Sequence, residues 1–494
     1  MSTEVLIVGG GIAGLATAYE LHRHGVPFLL LESASRAGGV ILSEQVDGYT
    51  VDASPEALLI QKTDAIGLCE ELGLGDRLVA TKLPRVAFIQ RGGVLHALPT
   101  ASVLGIPTRF GPFIRTRLFS WLGKVRMGLE LFVPARRDDT DESIGSFMTR
   151  RFGAEATNFL AEPLLAGIHA GDVNRLSVRA LFPRFVEAER THGSLLRAFR
   201  LQAARPGPAT AGAGRWTEKG AFLSLSGGLS EMVRALVAAL PAASIRLDSP
   251  VVRILAGPST GTGRDPSVSP LFRLQIASGD LFTARSLVLA APAYVAGRLL
   301  REVDAELARL CEGVSYASSA TIALAFPRAA IRHPLEGSGF VVPKSEGTGI
   351  LAASWMSSKW PNRAPDDRVL LRAFVGGARD PKALDRSDAE LVALARTALG
   401  PLLGISGEPL LTRVYRWERS TAQHEIGHLA RMAAIERGIA DHPGLFVTGS
   451  GFRGTGIPDC IADGRATARQ AAAWLATSTD KPQSAGFVGL RTRS

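Results

Sequence analysis

A glycine-rich turn close to the start of the chain restricts the possible folds more than any other feature of the sequence. The aliphatic residues 5–8 lead into GGGIAG at residues 9–14, and a segment with helical spacing follows. The aliphatic run predicts a strand that is buried on both faces. In this setting Gly9 permits a tight turn, Gly11 lets the backbone approach a pyrophosphate, and Gly14 lets the helix pack closely on the strand.

A second aliphatic run, residues 26–31, predicts the next strand and places a carboxylate at its end. Glu32 follows directly, at the position where an acid accepts the ribose hydroxyls of a nucleotide. The order of strand, glycines, helix, strand and acid predicts a Rossmann-type nucleotide-binding domain. The residues expected at the nucleotide are Gly9, Gly10, Gly11, Ile12, Ala13, Gly14, Glu32 and Ser33.

The residues after Glu32 indicate which nucleotide binds. They follow the pattern E-x-x-x-R-x-G-G, with Arg36, Gly38 and Gly39 at the fixed positions. This pattern resembles flavoproteins of the amine-oxidase type. The resemblance favours FAD over NAD as the cofactor and adds these three residues to the expected cofactor site.

A motif near the other end of the chain offers a competing interpretation. Residues 424–428 read HEIGH, which matches the H-E-x-x-H by which a helix presents two histidines to zinc. A catalytic zinc needs a third protein ligand, and Arg431 stands where the metzincin extension requires glycine. Gly427 also weakens the helix that must align His424 and His428. We therefore expect no metal site, and a loop between two domains at this position.

Length, charge and cysteine content narrow the class of protein. At about 150 residues per domain, a chain of 494 residues predicts two or three domains. The net charge of +10 favours an anionic partner, either a carboxylate-rich small molecule or anionic lipid. The arginines are scattered and accompany no recognised nucleic-acid module, so we expect no nucleic acid. Three widely separated cysteines predict buried free thiols rather than a disulfide framework.

The apolar runs of the sequence bear on membrane contact. None approaches the roughly 20 residues needed to span a bilayer, and Glu4 interrupts the start of the chain too early for a signal peptide. We expect a cytoplasmic protein, or one seated on the inner face of the cell membrane. Residues 109–124 interleave bulky apolar groups with cations and contain no acid. This composition suits attachment to anionic lipid, and equally a packed helix whose arginines reach outward.

Patterns along the chain predict an α/β plus α+β fold with a discontinuous Rossmann-type FAD-binding domain, a mixed-sheet substrate domain and a helical insert. The FAD-binding domain is expected at residues 1–90, 220–300 and 431–476, with strands at 244–251, 273–276, 286–292 and 445–449 and a helix at 465–475. The helical insert is expected at 100–210, with helices at 121–132 and 143–152. The substrate-binding domain is expected at 301–430, with strands at 321–326 and 369–375 and a helix at 388–399. Residues 207–214 and 257–270 predict surface loops, and residues 477–494 a disordered tail.

Short motifs recur through the rest of the chain in a fixed order. They include LHALP at 95–99, GIPT at 105–108, EPLLAGIHAGD at 162–172, SW to WP at 354–361, LRAFVG at 371–376 and GIPDCI at 456–461. Together with the glycine fingerprint they resemble the oxygen-dependent porphyrinogen oxidases, the FAD enzymes of haem synthesis. The resemblance covers residues 4–476.

The resemblance implies an oxidation that removes six electrons and six protons from a porphyrinogen in three two-electron cycles. Oxygen is the acceptor and hydrogen peroxide the second product. Residues 105–134 and the Trp360 region look most like coproporphyrinogen III oxidases. Protoporphyrinogen IX oxidases often carry an arginine where Ala87 stands here, with Arg85 and Arg91 nearby. We expect coproporphyrinogen III; protoporphyrinogen IX, another amine-oxidase-like reaction and a non-catalytic porphyrin-binding scaffold remain alternatives.

The resemblance also implies positions for further site residues. The loop Ser54, Pro55, Glu56 and Ala57 would run beside the flavin, although the family commonly has Gly-Pro-acid-Ser there. Val251 would lie near the adenine and Trp417 beside the cofactor, with core packing as the alternative for both. Gly449 and the turn Gly456, Ile457 and Pro458 complete the cofactor set. Gly167, Ile168 and His169 are expected in the substrate pocket, and no catalytic acid or base is nominated. The implied partners are the porphyrinogen, oxygen and other haem-pathway enzymes, and the chain is expected to be a monomer or homodimer.

Overall fold

The structure is a computed structural model that describes residues 1–98, 102–103, 106–107, 110–204, 220–255 and 272–479. The predicted loops at 207–214 and 257–270 lie outside the described residues, as do Gly105 and the predicted tail from residue 480 onward. Residues 477–479 of that tail are described, and they continue the last helix instead of leaving it.

The first sheet contains the predicted nucleotide-binding strands. It has the order β12-β2-β1-β15-β14-β13, and β21 also pairs with β15. Their bounds are β1 (Ser2–Val8), β2 (Phe28–Leu31), β12 (Ile245–Arg246), β13 (Val251–Leu255), β14 (Phe272–Ile276), β15 (Leu281–Leu289) and β21 (Leu445–Val447). Both faces of the central strands are buried, because Ile7 and Leu30 pack on one side and Leu6 and Leu29 on the other. This confirms the strands that were predicted from continuous aliphatic runs.

Helices cover both faces of this sheet. Their bounds are α1 (Ile12–Arg23), α2 (Asp64–Glu71), α11 (Ser230–Ala238), α12 (Ala293–Leu300), α13 (Ala305–Glu312), α16 (His428–Ala440) and α17 (Ile457–Thr479). Helices α1 and α17 cross at a close approach, where a Cβ on Gly464 would lie 2.4 Å from the carbonyl oxygen of Ala13. The hydroxyl of Thr17 donates to the Gly464 carbonyl at 3.1 Å across the same crossing. Residues 12–23 and 457–479, which lie far apart in the chain, are thus packed directly together.

Two details of this sheet differ from the sequence prediction. The predicted strand 244–251 is wrong as one element: it forms β12, then turns, then begins β13. Asp248 takes a positive φ of 48° and Pro250 lacks an N–H, so the segment cannot continue one ladder. Strand β14, which a Rossmann-type sheet would hold parallel to its neighbours, pairs antiparallel with β15, because a tight turn at Gly279 connects the two.

The second sheet has seven strands in the order β20-β16-β19-β18-β17-β7-β8. Their bounds are β7 (Ala87–Arg91), β8 (Val94–Ala97), β16 (Ser315–Pro327), β17 (Gly339–Val341), β18 (Ala352–Trp355), β19 (Arg368–Gly376) and β20 (Leu411–Gln423), with helices α14 (Met356–Lys359) and α15 (Asp388–Leu403). Strands β7 and β17 are parallel and the other pairs antiparallel, so the sheet is mixed as predicted. Residues 87–90, which the sequence placed with the first domain, pair within this sheet.

Helices dominate residues 110–204, as expected for the insert. They are α3 (Phe110–Arg115), α4 (Trp121–Gly128), α5 (Ile144–Phe152), α6 (Ala154–Ala156), α7 (Glu162–His169), α8 (Val178–Leu181), α9 (Pro183–His192) and α10 (Leu195–Ala204). The buried pair Arg151 and Glu130 joins α5 to the 3-10 turn that follows α4. Three small sheets complete the chain: β3 (Ser43–Val46) with β4 (Tyr49–Asp52), β5 (Leu58–Leu59) and β6 (Leu78–Ala80) with β11 (Phe222–Leu225), and β9 (Ser102–Val103) with β10 (Ile106–Pro107).

Two further sequence predictions concern cysteines and membrane spans. Cys69, Cys311 and Cys460 are buried free thiols, as predicted. Among the described residues, every helix is too short or too polar to cross a bilayer. The limits of the domains and their assignment to cofactor and substrate stay predictions.

Candidate functional site

A cavity of about 1030 Å³ lies where the two sheets and helix α7 meet. Small-molecule pockets are typically about 300–1,000 Å³, so this cavity has the size for a cofactor and a substrate together. Its wall runs from the glycine turn after β1, past the loops after β15 and β21, to strands β17 to β20. The same cavity therefore contains both the predicted nucleotide residues and the predicted substrate residues.

The glycine turn presents open backbone to this cavity. Helix α1 begins after Gly11, and no side chain caps its first amides and no acid lies in its first turn. A Cβ on Gly11 would meet no protein atom within 4 Å, whereas a Cβ on Gly14 would lie 2.0 Å from the Gly9 carbonyl oxygen. The free helix N-terminus and the open space before it fit a pyrophosphate, since both the amides and the helix dipole attract anions.

Glu32 is fixed at the edge of the same turn. Its carboxylate accepts hydrogen bonds from the amides of Gly10 at 2.5 Å and Ala34 at 2.8 Å, and it lines the cavity beside Ser33. Arg36 does not reach the cavity, because its guanidinium donates to the carbonyls of Gly39 at 2.6 Å and Ile41 at 3.2 Å. Arg36 thereby shapes the loop that carries Gly38 and Gly39. These residues fit a dinucleotide with a ribose at Glu32.

The structure brings most of the predicted cofactor residues to this one cavity. Those that line the cavity are Gly9, Gly11, Ile12, Ala13, Glu32, Ser33, Gly38, Gly39, Ser54, Pro55, Glu56, Ala57, Trp417, Gly449, Gly456 and Ile457. Five others, all within the described part of the chain, do not: Gly10, Gly14, Arg36, Val251 and Pro458. The side chain of Val251 packs in the core beneath the first sheet, so only its backbone remains available for the predicted adenine contact. The indole N–H of Trp417 donates to the Ala53 carbonyl at 3.1 Å, which orients the ring at the cavity wall.

Glu56 joins the loop at residues 54–57 to the second sheet. Its carboxylate forms ion pairs with Arg372 on β19 and Lys359 on α14, and all three side chains line the cavity. Burial alone would raise the pKa of Glu56, but the two cations outweigh it and lower the pKa to about 2. Arg372 also donates to the carbonyl of Ser54 at 2.9 Å. Sequence reasoning missed both cations; the one signal was a lone arginine inside the apolar run of β19.

The part of the cavity beside α7 is lined by the predicted substrate residues Gly167, Ile168 and His169. A Cβ added to Gly167 would lie 3.2 Å from Cγ1 of Val341 and 3.7 Å from Cβ of Ala352, so the absent side chain lets α7 pack closely on β17 and β18 at the cavity wall. Burial, with a smaller contribution from Lys62, lowers the pKa of His169 to about 4, so the imidazole is neutral at pH 7.

Four cations lie on the wall of the cavity, and the sequence did not select them. They are Lys359, Arg372, Arg416 and Arg419. The first two pair with Glu56, and Arg416 pairs with Asp388. Arg85 and Arg91 do not line the cavity: Arg85 donates to Thr81, and Arg91 pairs with Glu155 at 2.9 Å. Ala87 does line it.

The H-E-x-x-H motif does not lie on one helix. His424 follows the end of β20, Gly427 adopts a φ of 85°, and α16 begins only at His428. The Nε2 atoms of His424 and His428 lie 2.9 Å from the backbone carbonyls of Ser450 and Phe452. Across the ranges that the structure describes, no group of three or more His, Cys, Asp or Glu side chains could hold a metal ion. The motif is part of the crossing from the second sheet to the first, and both rings are engaged with backbone.

Comparisons with known proteins concern the chain as a whole. Residues 12–472 match the family model described as flavin containing amine oxidoreductase. The coproporphyrinogen III oxidase of Bacillus subtilis (strain 168) is 34% identical over 482 residues, which cover 96% of this chain and 98% of that protein. The mitochondrial protoporphyrinogen oxidase of Nicotiana tabacum is 27% identical over 93% of each chain. A crystal structure of a protein from Exiguobacterium sp. 255-15 superposes with a TM-score of 0.81 at 31% identity, and covers 96% of this chain and 99% of that one.

Proposed function

Because the chain belongs to the flavin containing amine oxidoreductase family, we propose that it oxidises coproporphyrinogen III to coproporphyrin III, with oxygen as acceptor, in haem synthesis. Membership makes the chain an oxidoreductase with FAD as its cofactor, which confirms the enzyme class and cofactor predicted from the sequence. The observation that carries the substrate is a mainly apolar cavity that is lined both by the open glycine turn and by the predicted substrate residues on α7. Relatives named coproporphyrinogen III oxidase, 32–34% identical over nearly their full length, support the same choice.

The proposed reaction balances as coproporphyrinogen III plus three O₂ giving coproporphyrin III plus three H₂O₂. Bound FAD supplies the capacity to accept two electrons at a time. The amides at the start of α1 and the carboxylate of Glu32 would hold the dinucleotide. The ion pairs of Glu56 with Arg372 and Lys359 would fix the loop beside it. The cavity between α7 and strands β17 to β20 would orient the macrocycle and shield it from water. No side chain need act as a base, since pyrrole protons can pass to water or to another ring nitrogen.

Protoporphyrinogen IX is the second candidate substrate. A relative named for that reaction, from Nicotiana tabacum, is similar over 93% of this chain. The two substrates differ in the number of carboxylates, four in the copro compound and two in the proto compound. Ala87 lines the cavity where many protoporphyrinogen oxidases place a cation, and this favours the copro substrate for this chain.

Parallel rate measurements would test the proposal. The FAD-loaded protein should turn coproporphyrinogen III into fluorescent coproporphyrin with the uptake of three O₂ per product. A strong preference for protoporphyrinogen IX would overturn the choice of substrate. Anaerobic stopped-flow mixing should bleach the flavin band; an unbleached flavin with both porphyrinogens would refute catalysis and support a porphyrin-binding scaffold.

We further propose that the helical insert contacts a membrane surface. Helix α4 and the turn after it expose an apolar face made of Trp121, Leu122, Val125, Leu129 and Phe132. Leu122 is 84% exposed and Phe132 81%, and the ammonium of Lys124 lies 4.5 Å from the centre of the Trp121 ring. Exposed Arg115 and Arg117 flank the face. An apolar face bordered by cations suits the interface of an anionic bilayer. The cytoplasmic location, haem-pathway partner enzymes and a monomeric or homodimeric state stay predictions.

A further inference from the structure

Strand β20 breaks its pairing at the point where it passes the cavity. Its register against β16 shifts so that residues 418–420 stand opposite Ser318 alone. Within this bulge Arg419 takes a positive φ of 42°, and its amide donates to the hydroxyl of Ser318 at 2.9 Å. A bulge redirects the side chains of its strand, and a left-handed arginine persists only where its surroundings hold it. The bulge therefore gives Arg419 a fixed direction at the cavity wall.

An aromatic platform supports the guanidinium of Arg419. Its Cζ lies 3.7 Å from the centre of the Tyr294 ring, within the range of a cation–π contact. Tyr294 in turn meets Tyr316 edge to face, with ring centres 5.0 Å apart, and the Tyr316 hydroxyl accepts a hydrogen bond from the amide of Ala293 at 2.8 Å. Arg419, Tyr294 and Tyr316 all line the cavity. Stacking fixes the plane of the guanidinium and leaves its N–H edges open.

Arg419 differs from the other cations on the cavity wall in its electrostatic state. Lys359 and Arg372 both form ion pairs with Glu56, and Arg416 forms one with Asp388. For Arg419, no described residue forms an ion pair or a side-chain hydrogen bond with the guanidinium. Glu418 is its neighbour in the bulge and also lines the cavity, but the two side chains are not paired. The forked donors of Arg419 are therefore available to an anion that enters the cavity.

We propose that Arg419 binds a propionate carboxylate of the macrocycle and so contributes to the choice among porphyrinogens. This inference rests on the proposed function, since it assumes that a tetrapyrrole binds in the cavity. An arginine fork can bind a carboxylate through two parallel hydrogen bonds, and the Tyr294 ring holds the fork in position for them. A substrate with four carboxylates gains more from such an anchor than one with two. Arg419 is a positioning residue for the substrate, and it takes no part in electron transfer.

The test compares Arg419→Gln with Arg413→Gln. Arg413 lies on the same strand, pairs with Glu44 at 3.3 Å and does not line the cavity, so it is a matched control. Binding of coproporphyrin III, followed by fluorescence, should weaken about tenfold in Arg419→Gln, the size of one charge-assisted hydrogen bond at a partly exposed site. The control should bind like the parent protein. Coproporphyrin tetramethyl ester, which carries no charge, should bind the parent and Arg419→Gln equally in the same detergent buffer.

Kinetics provide the second arm of the test. In Arg419→Gln, KM for coproporphyrinogen III should rise about tenfold while kcat and the flavin spectrum stay unchanged, and Arg419→Lys should recover part of the loss because it keeps the charge without the fork. Wild-type affinity for coproporphyrin III in Arg419→Gln, or an equal loss in Arg413→Gln, would overturn the inference. A parent protein that oxidises no porphyrinogen would instead overturn the proposed function, and the binding comparison would still decide the role of Arg419.

Discussion

The imidazole rings of His424 and His428 stack 3.8 Å apart with an angle of 11° between their planes. Each ring directs its Nε2 at a backbone carbonyl of the loop after β21, the segment that carries Gly449 to the cavity. A carbonyl oxygen only accepts hydrogen bonds, so both rings carry a proton on Nε2. The pair therefore connects the end of β20 and the start of α16 to the loop after β21.

Acid should weaken the fold through this pair. Burial lowers the pKa of His424 from 6.5 to about 4, and the neighbouring His428 lowers it in the same direction. The folded state then binds fewer protons than the unfolded state between these values, so the stabilisation is complete above pH 6.5 and is lost as the pH falls toward 4. At most about 3 kcal/mol is involved for His424. His424→Gln keeps an N–H donor without titrating, and its melting temperature should fall less steeply over that pH range. The exposed His22→Gln should follow the parent, and a parallel fall in His424→Gln would contradict the assignment.

Removal of the Glu56 carboxylate should destabilise the chain strongly. Glu56→Gln would leave Arg372 and Lys359 without their acid in a buried position, which costs about 3–5 kcal/mol. Unfolding in urea would measure the loss, and the same variant should release flavin more readily because Arg372 also holds the Ser54 carbonyl. Glu306→Gln breaks an exposed ion pair with Arg309, which solvent screens, and should change stability far less. Equal effects in the two variants would argue against a buried cluster.

Alanine at two glycines of the fingerprint should have different effects, on flavin binding at Gly11 and on the stability of the apoprotein at Gly14. In Gly11→Ala the new methyl group enters open cavity, so the apoprotein should keep its stability within about 1 kcal/mol while the bound flavin absorbance is lost. In Gly14→Ala the methyl group would lie 2.0 Å from the Gly9 carbonyl oxygen, so the apoprotein itself should unfold at lower urea. Measuring urea midpoints and flavin content for both separates a ligand surface from a packing contact. Full flavin retention in Gly11→Ala would place the pyrophosphate elsewhere.

The exposed face of α4 should mediate binding to anionic vesicles. Leu122→Glu combined with Phe132→Glu removes two apolar groups worth roughly 1.5–3 kcal/mol each and adds repulsion. Cosedimentation with phosphatidylglycerol vesicles should fall at least about tenfold, and binding of the parent should weaken with salt. Leu410→Glu, at an exposed leucine outside this face, is the control. If the parent protein does not bind the vesicles at low salt, the proposed membrane contact is wrong.

The sequence predicted correctly those parts of the fold that depend on residues close together in the chain. The aliphatic runs before Gly9 and Glu32 became β1 and β2, and the capping pair Ser387 and Glu390 begins α15 where the sequence placed it. Such patterns depend on the period of one element and on the residue at its end, and both can be read within about ten positions of the chain. The cofactor class followed from the same short segment.

The parts that the sequence misjudged depend on which elements meet. Residues 244–251 appeared as one strand because their pattern is apolar, yet Asp248 and Pro250 direct them to two different neighbours, β2 and β14. Residues 424–428 matched a zinc motif by spacing, although no metal site was predicted for them. Spacing identifies a ligand pair only if the segment is a helix, and the positive φ of Gly427 separates His424 from the helix that starts at His428.

By itself the sequence determined the Rossmann turn, the class of cofactor and the identity of the strands and helices that carry them. Only the tertiary structure decided which charges face the cavity. Arg372 meets Glu56 across 316 positions of the chain, and Arg419 is left as the cation on the cavity wall that pairs with no described acid. The physical reason is that hydrogen bonds and ion pairs act over a few ångströms in space. Distance in space between remote residues is set by strand register and domain packing, which no local pattern of residues encodes.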